Sequence, residues 1–134
     1  MTMERREIMV AGKGAPVSHY CDAVVQDGWV FASGVIPVDA SGALVGGDNP
    51  AAQAEEVFRQ LALVLDAAGS SIAEIAKVTI FLTHIGDRVA INPIRQAWFR
   101  RAKPASTLVE VSALVHPGAR IEIEAIARIA PIRQ

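Results

Sequence analysis

Two glutamates near the end of the chain, Glu122 and Glu124, have the type and spacing needed for proton transfer. They lie in the alternating segment 120–129, which predicts a β-strand. Residues two positions apart share one face of a strand, about 7 Å from each other. If that face lined a cleft between subunits, partial burial would raise a glutamate pKa towards neutrality and suit it to proton transfer. The alternative is a solvated face with cross-strand ion pairs, and alternation alone leaves both open.

The two faces of this predicted strand differ in character. One face is apolar and is expected to be core: Ala119, Ile121, Ile123, Ala125 and Ala127. The other face carries two carboxylates and two guanidinium groups: Arg120, Glu122, Glu124, Ile126 and Arg128. Any chemistry on this strand is therefore expected on the second face.

No other residues have the spacing of a catalytic or metal-binding motif. The histidines His19, His84 and His116 are scattered, and His19 with Cys21 supplies only two of the three or four ligands that zinc needs. Cys21 is expected to be a small strand residue, because free cysteine usually behaves as a buried hydrophobe. Gly12-Lys13-Gly14 lacks the following helix of a phosphate-binding loop. The sequence predicts no metal and no cofactor.

Composition excludes several classes of protein. The 134 residues fit one domain, 1–134, and 13 basic against 14 acidic residues argue against a nucleic-acid partner. No run approaches the ~18–20 apolar residues of a membrane span, and the charged N-terminus does not support a signal peptide. One cysteine fits a reducing compartment, so a cytoplasmic protein is expected.

The apolar content indicates an oligomer. Hydrophobic residues make up 51% of the chain, and the mean hydropathy of +0.32 is high for so small a domain. A domain of this size buries only ~65–70% of the surface that its unfolded chain exposes. Apolar surface left over usually marks an interface, so we expect a homo-oligomer.

Turn signals and periodicity predict the element order β-β-β-α-β-α-β-β. Asp27-Gly28 between two β-rich runs is a strong hairpin signal. The predicted strands are 6–10, 20–25, 29–32, 76–83, 106–111 and 120–129. Runs of strands with segregated helices favour an α+β fold, with one mixed sheet and both helices packed on one face.

The first predicted helix has clear boundaries. Asn49 is a good N-cap, Pro50 suits the first helical position, and Gly69 is a stop signal. Glu55 and Arg59 are expected to pair across one turn. Residues at three- and four-residue spacing predict a buried stripe: Val57, Phe58, Leu61, Leu65 and Ala68.

The second predicted helix repeats the same signal. Asn92-Pro93 is expected to open a helix that runs to about Arg101, with Ile94 and Trp98 facing inward. Asp87 could instead cap an earlier turn, and the sequence does not fix this boundary.

Seven motifs occur in the same order as in one known family. They are Tyr20, the segment 32–37, Gln53, and the segments 77–82, 89–92, 103–105 and 121–127. On these motifs the sequence resembles the reactive-intermediate deaminase, or RidA/YjgF, family. The resemblance implies a chorismate-mutase-like subunit in a homotrimer, with a central β-barrel and ligand clefts between subunits.

The resemblance also implies a reaction and a site. Family members hydrolyse enamine and imine intermediates such as 2-aminoacrylate to a keto acid and ammonia. Carried over by motif, the substrate-binding residues are Tyr20, Ser33 and Asn92, and the catalytic residue is Glu122, which would hold or activate the water. Glu124 is the weaker companion.

One family residue is absent. Where the best-known branch has an arginine that binds the substrate carboxylate, this chain has Ser106, followed by Thr107. A hydroxyl cannot replace a planar cation with two donors. Arg120 is the first candidate to supply the charge, and Arg95 and Lys103 are others.

The segments 19–24 and 104–111 are similar to those of 2-aminomuconate deaminases, whose substrate carries two carboxylates. Ser106 and Thr107 would then donate hydrogen bonds to a carboxylate while Arg120 supplies charge; alternatively, both are simply good β-formers at a strand start. Three other functions stay open: a non-catalytic metabolite-binding trimer, a 2-aminoacrylate-type deaminase with altered carboxylate recognition, and a ribonuclease. The neutral charge argues against RNA.

Overall fold

The computed structural model describes residues 4–13 and 16–131; Gly14 of the glycine-lysine segment therefore lies outside the described residues. Within these residues, six strands form one sheet in the order β1-β2-β3-β6-β4-β5. They are β1 (Arg6–Ile8), β2 (Ala23–Gln26), β3 (Trp29–Val35), β4 (Ile75–Leu82), β5 (Ala105–Glu110) and β6 (Ile121–Arg128). β4 and β5 pair in parallel and the other described strand pairs are antiparallel, so the sheet is mixed.

Two helices accompany the sheet, α1 (Pro50–Ala67) and α2 (Arg88–Phe99). α1 packs against β3 and β6, and α2 packs against α1. Short 3₁₀ turns, Ile72–Glu74 and Ile85–Asp87, precede β4 and α2. The element order and the mixed α+β sheet confirm the predicted fold class. No helix in the described part of the chain has the length and apolar character to cross a membrane.

The core lies between the sheet and α1. The predicted apolar face of β6 is buried throughout, and so is the predicted stripe of α1. The largest side chains with no exposed surface include Phe58, Leu61, Ile80, Ile121 and Ile123. Phe58 also packs edge-on against Phe99 of α2, with ring centroids 5.8 Å apart. In the part of the chain that the structure describes, the opposite face of the sheet carries no helix.

The start of α1 confirms its predicted cap. Asn49 Oδ1 accepts a hydrogen bond from the Ala52 N–H at 3.1 Å, which satisfies one of the free donors of the first turn. Beyond the other end, Gly69 adopts a φ of +83°, a conformation that favours glycine. The predicted pair of Glu55 with Arg59 is wrong. Arg59 binds Glu56 instead, three residues away.

The start of α2 is a second correction. The helix begins at Arg88, so Asn92-Pro93 lies inside it rather than at its N-terminus. The predicted stripe of Ile94 and Trp98 continues backwards to Ile91, which is fully buried, and this burial favours helix one turn earlier. Pro93 itself is exposed. Asp87 precedes the helix but makes no capping hydrogen bond, because its carboxylate binds Arg120.

The predicted first strand, 6–10, ends at Ile8, and two strand boundaries differ from prediction by three residues. The predicted strand 20–25 starts only at Ala23, and Tyr20 N–H instead bonds to Ser18 O in a turn. β3 continues beyond Ala32 to Val35. The extension brings Ser33 and Gly34 alongside β6.

Candidate active site

A cavity of about 600 Å³ lies where β3 and β6 meet. Three of the predicted site residues line it: Tyr20, Ser33 and Glu122. The weaker companion, Glu124, lines it as well. The sheet therefore brings together residues that are about a hundred positions apart in the sequence.

A β-bulge shapes the wall of the cavity. The register of β3 against β6 shifts between Ala32 and Val35, so that Ser33 and Gly34 together oppose Glu124. A Cβ atom at Gly34 would lie 2.2 Å from Glu122 Oε2 and 2.8 Å from its carboxyl carbon. The carboxyl of Glu122 therefore rests directly on the bare backbone of Gly34, and only glycine leaves room for it in this position.

The environment of Glu122 changes its acidity. The side chain is partly buried, and this burial raises the pKa of the Glu122 carboxyl, with a smaller contribution from the negative charge of Glu124. Glu124 itself is exposed. The two carboxyls of this face therefore differ in environment. Glu122 has the partial burial that would raise its pKa, whereas Glu124 lies on a solvated part of the face.

Ser33 and Tyr20 form the near side of the cavity. The Ser33 hydroxyl donates to Cys21 O at 2.7 Å, and the Ser33 N–H donates to Asp22 O at 2.9 Å. The serine is thus fixed to the segment that carries Tyr20, while its oxygen can still accept a hydrogen bond. Tyr20 is 49% exposed.

Two further lining residues were missed by sequence reasoning. Asp22 is only 4% exposed; its Oδ2 accepts from Val10 N–H at 2.8 Å, and its Oδ1 lies 3.3 Å from Lys13 Nζ. Both Lys13 and Asp22 line the cavity. The only signal in the sequence is a lysine between two glycines, which is not specific for a site.

Arg120 is not brought to the cavity. Its Nε and Nη2 donate to the two oxygens of Asp87 at 2.8 and 3.0 Å, and Nη1 donates to Asp48 at 2.9 Å. These hydrogen bonds, chiefly those to Asp87, raise the pKa of the guanidinium. The Arg120 N–H donates to Gln53 Oε1 at 2.7 Å. Arg120 thus joins the start of β6 to α1 and to the start of α2.

The remaining predicted site residues also lie away from the cavity within one chain. Ser106 and Thr107 are exposed on β5, an edge strand, and Asn92 is partly buried in α2. Thr107 pairs with Thr79 of β4, and its hydroxyl accepts from Lys77 Nζ at 2.5 Å. Thr107 is therefore on the face of the sheet that no helix covers, as are Glu122 and Glu124.

The described residues contain no group of three or more histidine, cysteine, aspartate or glutamate side chains arranged to hold a metal ion. Among its described lining residues, the cavity has carboxyls, hydroxyls and one ammonium group. Partly buried carboxyls and hydroxyls can transfer protons and orient a water molecule.

The comparisons with known proteins agree with one another. A family model described as endoribonuclease L-PSP matches residues 12–129. The Rid-family protein YyfA of Yersinia pestis is 34% identical; the match covers 94% of this chain and 100% of YyfA, with a TM-score of 0.87. A yeast protein is 33% identical over 95% of this chain and 100% of its own, with a TM-score of 0.89.

RidA from the Antarctic bacterium Psychrobacter is 31% identical, and the match covers 92% of this chain and 99% of RidA with a TM-score of 0.85. Identities above 30% over nearly the full length of both chains reflect common ancestry as well as a common fold. The chain therefore belongs to the endoribonuclease L-PSP family, the family of the RidA/YjgF proteins.

Proposed function

We propose that this protein is a deaminase that hydrolyses enamine or imine acids and releases ammonia. The observation that carries the proposal is the partly buried Glu122 carboxyl, seated on Gly34 in a cavity with Tyr20 and Ser33. The membership of RidA in the same family supports it.

The reaction requires proton transfers and the addition of one water molecule. The enamine first takes a proton on carbon and becomes an imine. One water molecule then adds to the C=N carbon, and the resulting carbinolamine loses ammonia to leave a C=O bond. The net change consumes one water and releases one ammonia.

Glu122 suits the two proton transfers of this hydrolysis. As a carboxylate it takes a proton from the attacking water, and as a carboxylic acid it gives that proton to the departing nitrogen. The raised pKa of Glu122 brings the two protonation states closer in free energy near neutral pH. Ser33 and Tyr20 would orient the substrate by hydrogen bonds.

For the substrate, we propose an amino dicarboxylate of the 2-aminomuconate type. Ser106 stands where the best-known branch has its arginine, which favours a different mode of carboxylate recognition. A cavity of about 600 Å³ has room for a six-carbon dicarboxylate. 2-Aminoacrylate is the smaller alternative substrate.

We further propose that the active unit is a homotrimer. Large apolar side chains are exposed on the uncovered face of the sheet, among them Phe31 at 46% and Val109 at 38%. A neighbouring copy would cover them and would bring its own Thr107, which lies on the same face, towards the cavity.

Ribonuclease activity, suggested by the name of the family model, is disfavoured by charge. Among the described residues that line the cavity, four are acidic, Asp22, Asp39, Glu122 and Glu124, against one lysine, and the net charge of the chain is −1. Single-stranded nucleic acid binds to positively charged grooves with aromatic side chains.

The test is ammonia release from freshly generated 2-aminomuconate, with 2-aminoacrylate in parallel. Glu122→Gln is expected to lower kcat at least about 100-fold, since general acid–base catalysis contributes about 10²–10⁴-fold. Glu55→Gln is the matched control, because Glu55 is exposed on α1 and is expected to leave the rate unchanged. No release from either substrate would favour a non-catalytic metabolite-binding protein, and an active Glu122→Gln variant would exclude the mechanism.

A further inference from the structure

The cavity has an unusual charge balance for a site that takes an acid. Its described lining residues include four carboxyls and one basic side chain, Lys13. The substrate of the proposed reaction is itself a carboxylate. Binding it beside Glu122 and Glu124 without a cation would place like charges together, which costs affinity.

The other candidate cations are placed elsewhere. Arg120 is engaged by Asp87 and Asp48, as described above. Arg95 lies on α2, where burial lowers the pKa of its guanidinium, and Lys103 is exposed beyond the end of α2. Neither lines the cavity.

Lys13 has donor capacity to spare. An ammonium group carries three N–H donors, and the one described hydrogen bond of Lys13 is to Asp22 Oδ1 at 3.3 Å, beyond the usual 2.7–3.2 Å range for N–H···O bonds. The Lys13 side chain is 25% exposed. A second anion can therefore reach this ammonium group without breaking a short bond.

Asp22 holds the lysine in place. Its side chain is 3% exposed, and Val10 N–H fixes its other oxygen at 2.8 Å. A carboxylate so deeply buried needs a compensating charge, which ties the Lys13 ammonium to this wall of the cavity. Asp22 is in this sense a positioning residue.

We propose that Lys13 binds a carboxylate of the substrate and so determines the specificity of the cavity for acids. The inference deepens the proposed function and rests on it, since the acid in question is the substrate of the deaminase. It assigns to Lys13 the task that an arginine performs in the best-known branch of the family. A lysine is a point charge on a flexible stem, so it requires less exact placement of the carboxylate than a bidentate guanidinium does.

Binding and turnover should be measured separately. The binding probe is muconate, a dicarboxylate without the amino group, titrated by calorimetry at low salt. Lys13→Gln is expected to weaken muconate binding at least about tenfold, and Lys13→Arg to restore most of it. For 2-aminomuconate hydrolysis, Lys13→Gln should act mainly through KM, whereas Glu122→Gln should act mainly through kcat.

Two controls keep the result interpretable. Arg101→Gln removes one positive charge from an exposed residue outside the cavity and should leave muconate binding unchanged. Because Lys13→Gln strands a buried carboxylate, the double variant Lys13→Gln/Asp22→Asn should recover thermal stability but not muconate binding.

The outcomes separate the two proposals. Weak muconate binding by Lys13→Gln and by the stable double variant supports the role of Lys13, even if no substrate is turned over and the deaminase proposal fails. The opposite result is that Lys13→Gln changes neither muconate binding nor KM while Glu122→Gln is inactive. That result would overturn the role of Lys13 and would still support the proposed deaminase.

Discussion

The two faces of β6 differ in what determines the burial of their side chains. On one face, Ile121, Ile123 and Ala125 are buried against the helix layer, and their apolar side chains are sufficient to explain their position. On the other face, Glu122 is partly buried and Glu124 is exposed, although the two residues have the same side chain. The bulge of β3 places Gly34 directly under the carboxyl of Glu122.

A truncation on the buried face should have the largest effect on stability. Ile123 has no exposed surface, and Ile123→Ala is expected to lower the free energy of unfolding by about 2–5 kcal/mol through lost burial and a residual cavity. Ile126→Ala removes the same atoms from the opposite, partly buried face and should cost less in denaturant unfolding. Equal losses at every protein concentration would contradict the distinction between the two faces.

The residue just before β6 provides the next test. Arg120→Gln would leave Asp87, which is 8% exposed, without its two charged hydrogen bonds, and is expected to cost about 1–3 kcal/mol. Asp48→Asn changes the exposed part of the same network. Because surface substitutions usually have small effects, it should lower the free energy of unfolding by less than about 0.5 kcal/mol. Chemical denaturation of both variants measures the difference. A large loss from Asp48→Asn instead would mean that the network acts as one unit.

The same contrast explains how much was predictable from the sequence. Two Asn-Pro pairs carry the same local signal, and Asn49-Pro50 does begin a helix whereas Asn92-Pro93 does not. An Asn-Pro pair reflects only the local backbone preferences and hydrogen bonds at a helix start. The burial of Ile91 one turn earlier depends on the rest of the fold. Periodicity predicted the core because the spacing of apolar residues can be read along the chain without knowledge of the rest of the fold.

The site was predictable only in part for a related reason. Tyr20, Ser33 and Glu122 were placed by resemblance, and the structure brings them to one cavity. Alternation could not reveal that Gly34 would lie under Glu122, because this contact depends on a register shift between two distant strands. Lys13 and Asp22 were missed because their pairing likewise depends on the fold.

A substitution in the bulge tests whether Gly34 sets the position of Glu122. The Cβ of Gly34→Ala would overlap the Glu122 carboxyl, which must move. Since that carboxyl is the end of a flexible side chain, the stability loss should stay below about 1 kcal/mol, the typical effect of one substitution. The deaminase kcat should nevertheless fall at least about tenfold, because misplaced catalytic groups lose activity steeply. Full activity in Gly34→Ala would show that the reaction does not depend on the contact between Gly34 and the Glu122 carboxyl.

Glu122→Gln is expected to have the smallest effect on stability, and unlike the other substitutions it should stabilise the protein. Burial raises the pKa of Glu122 in the folded chain above its unfolded value, so the folded state binds the proton more tightly. The wild-type protein therefore loses stability as pH rises from the unfolded to the folded pKa of this group, whereas glutamine does not titrate. The variant should match the wild type at low pH and melt slightly higher above neutrality.

Thermal melts across that pH range, with Glu55→Gln as the exposed control, measure the effect. A variant that melts lower than the wild type above neutral pH would mean that the assembled protein stabilises the Glu122 anion. Glu122 would then be held as a carboxylate that could accept a proton but not readily keep it. The cavity would in that case contain a cation close to Glu122, and proton delivery to the departing nitrogen would have to come from another group.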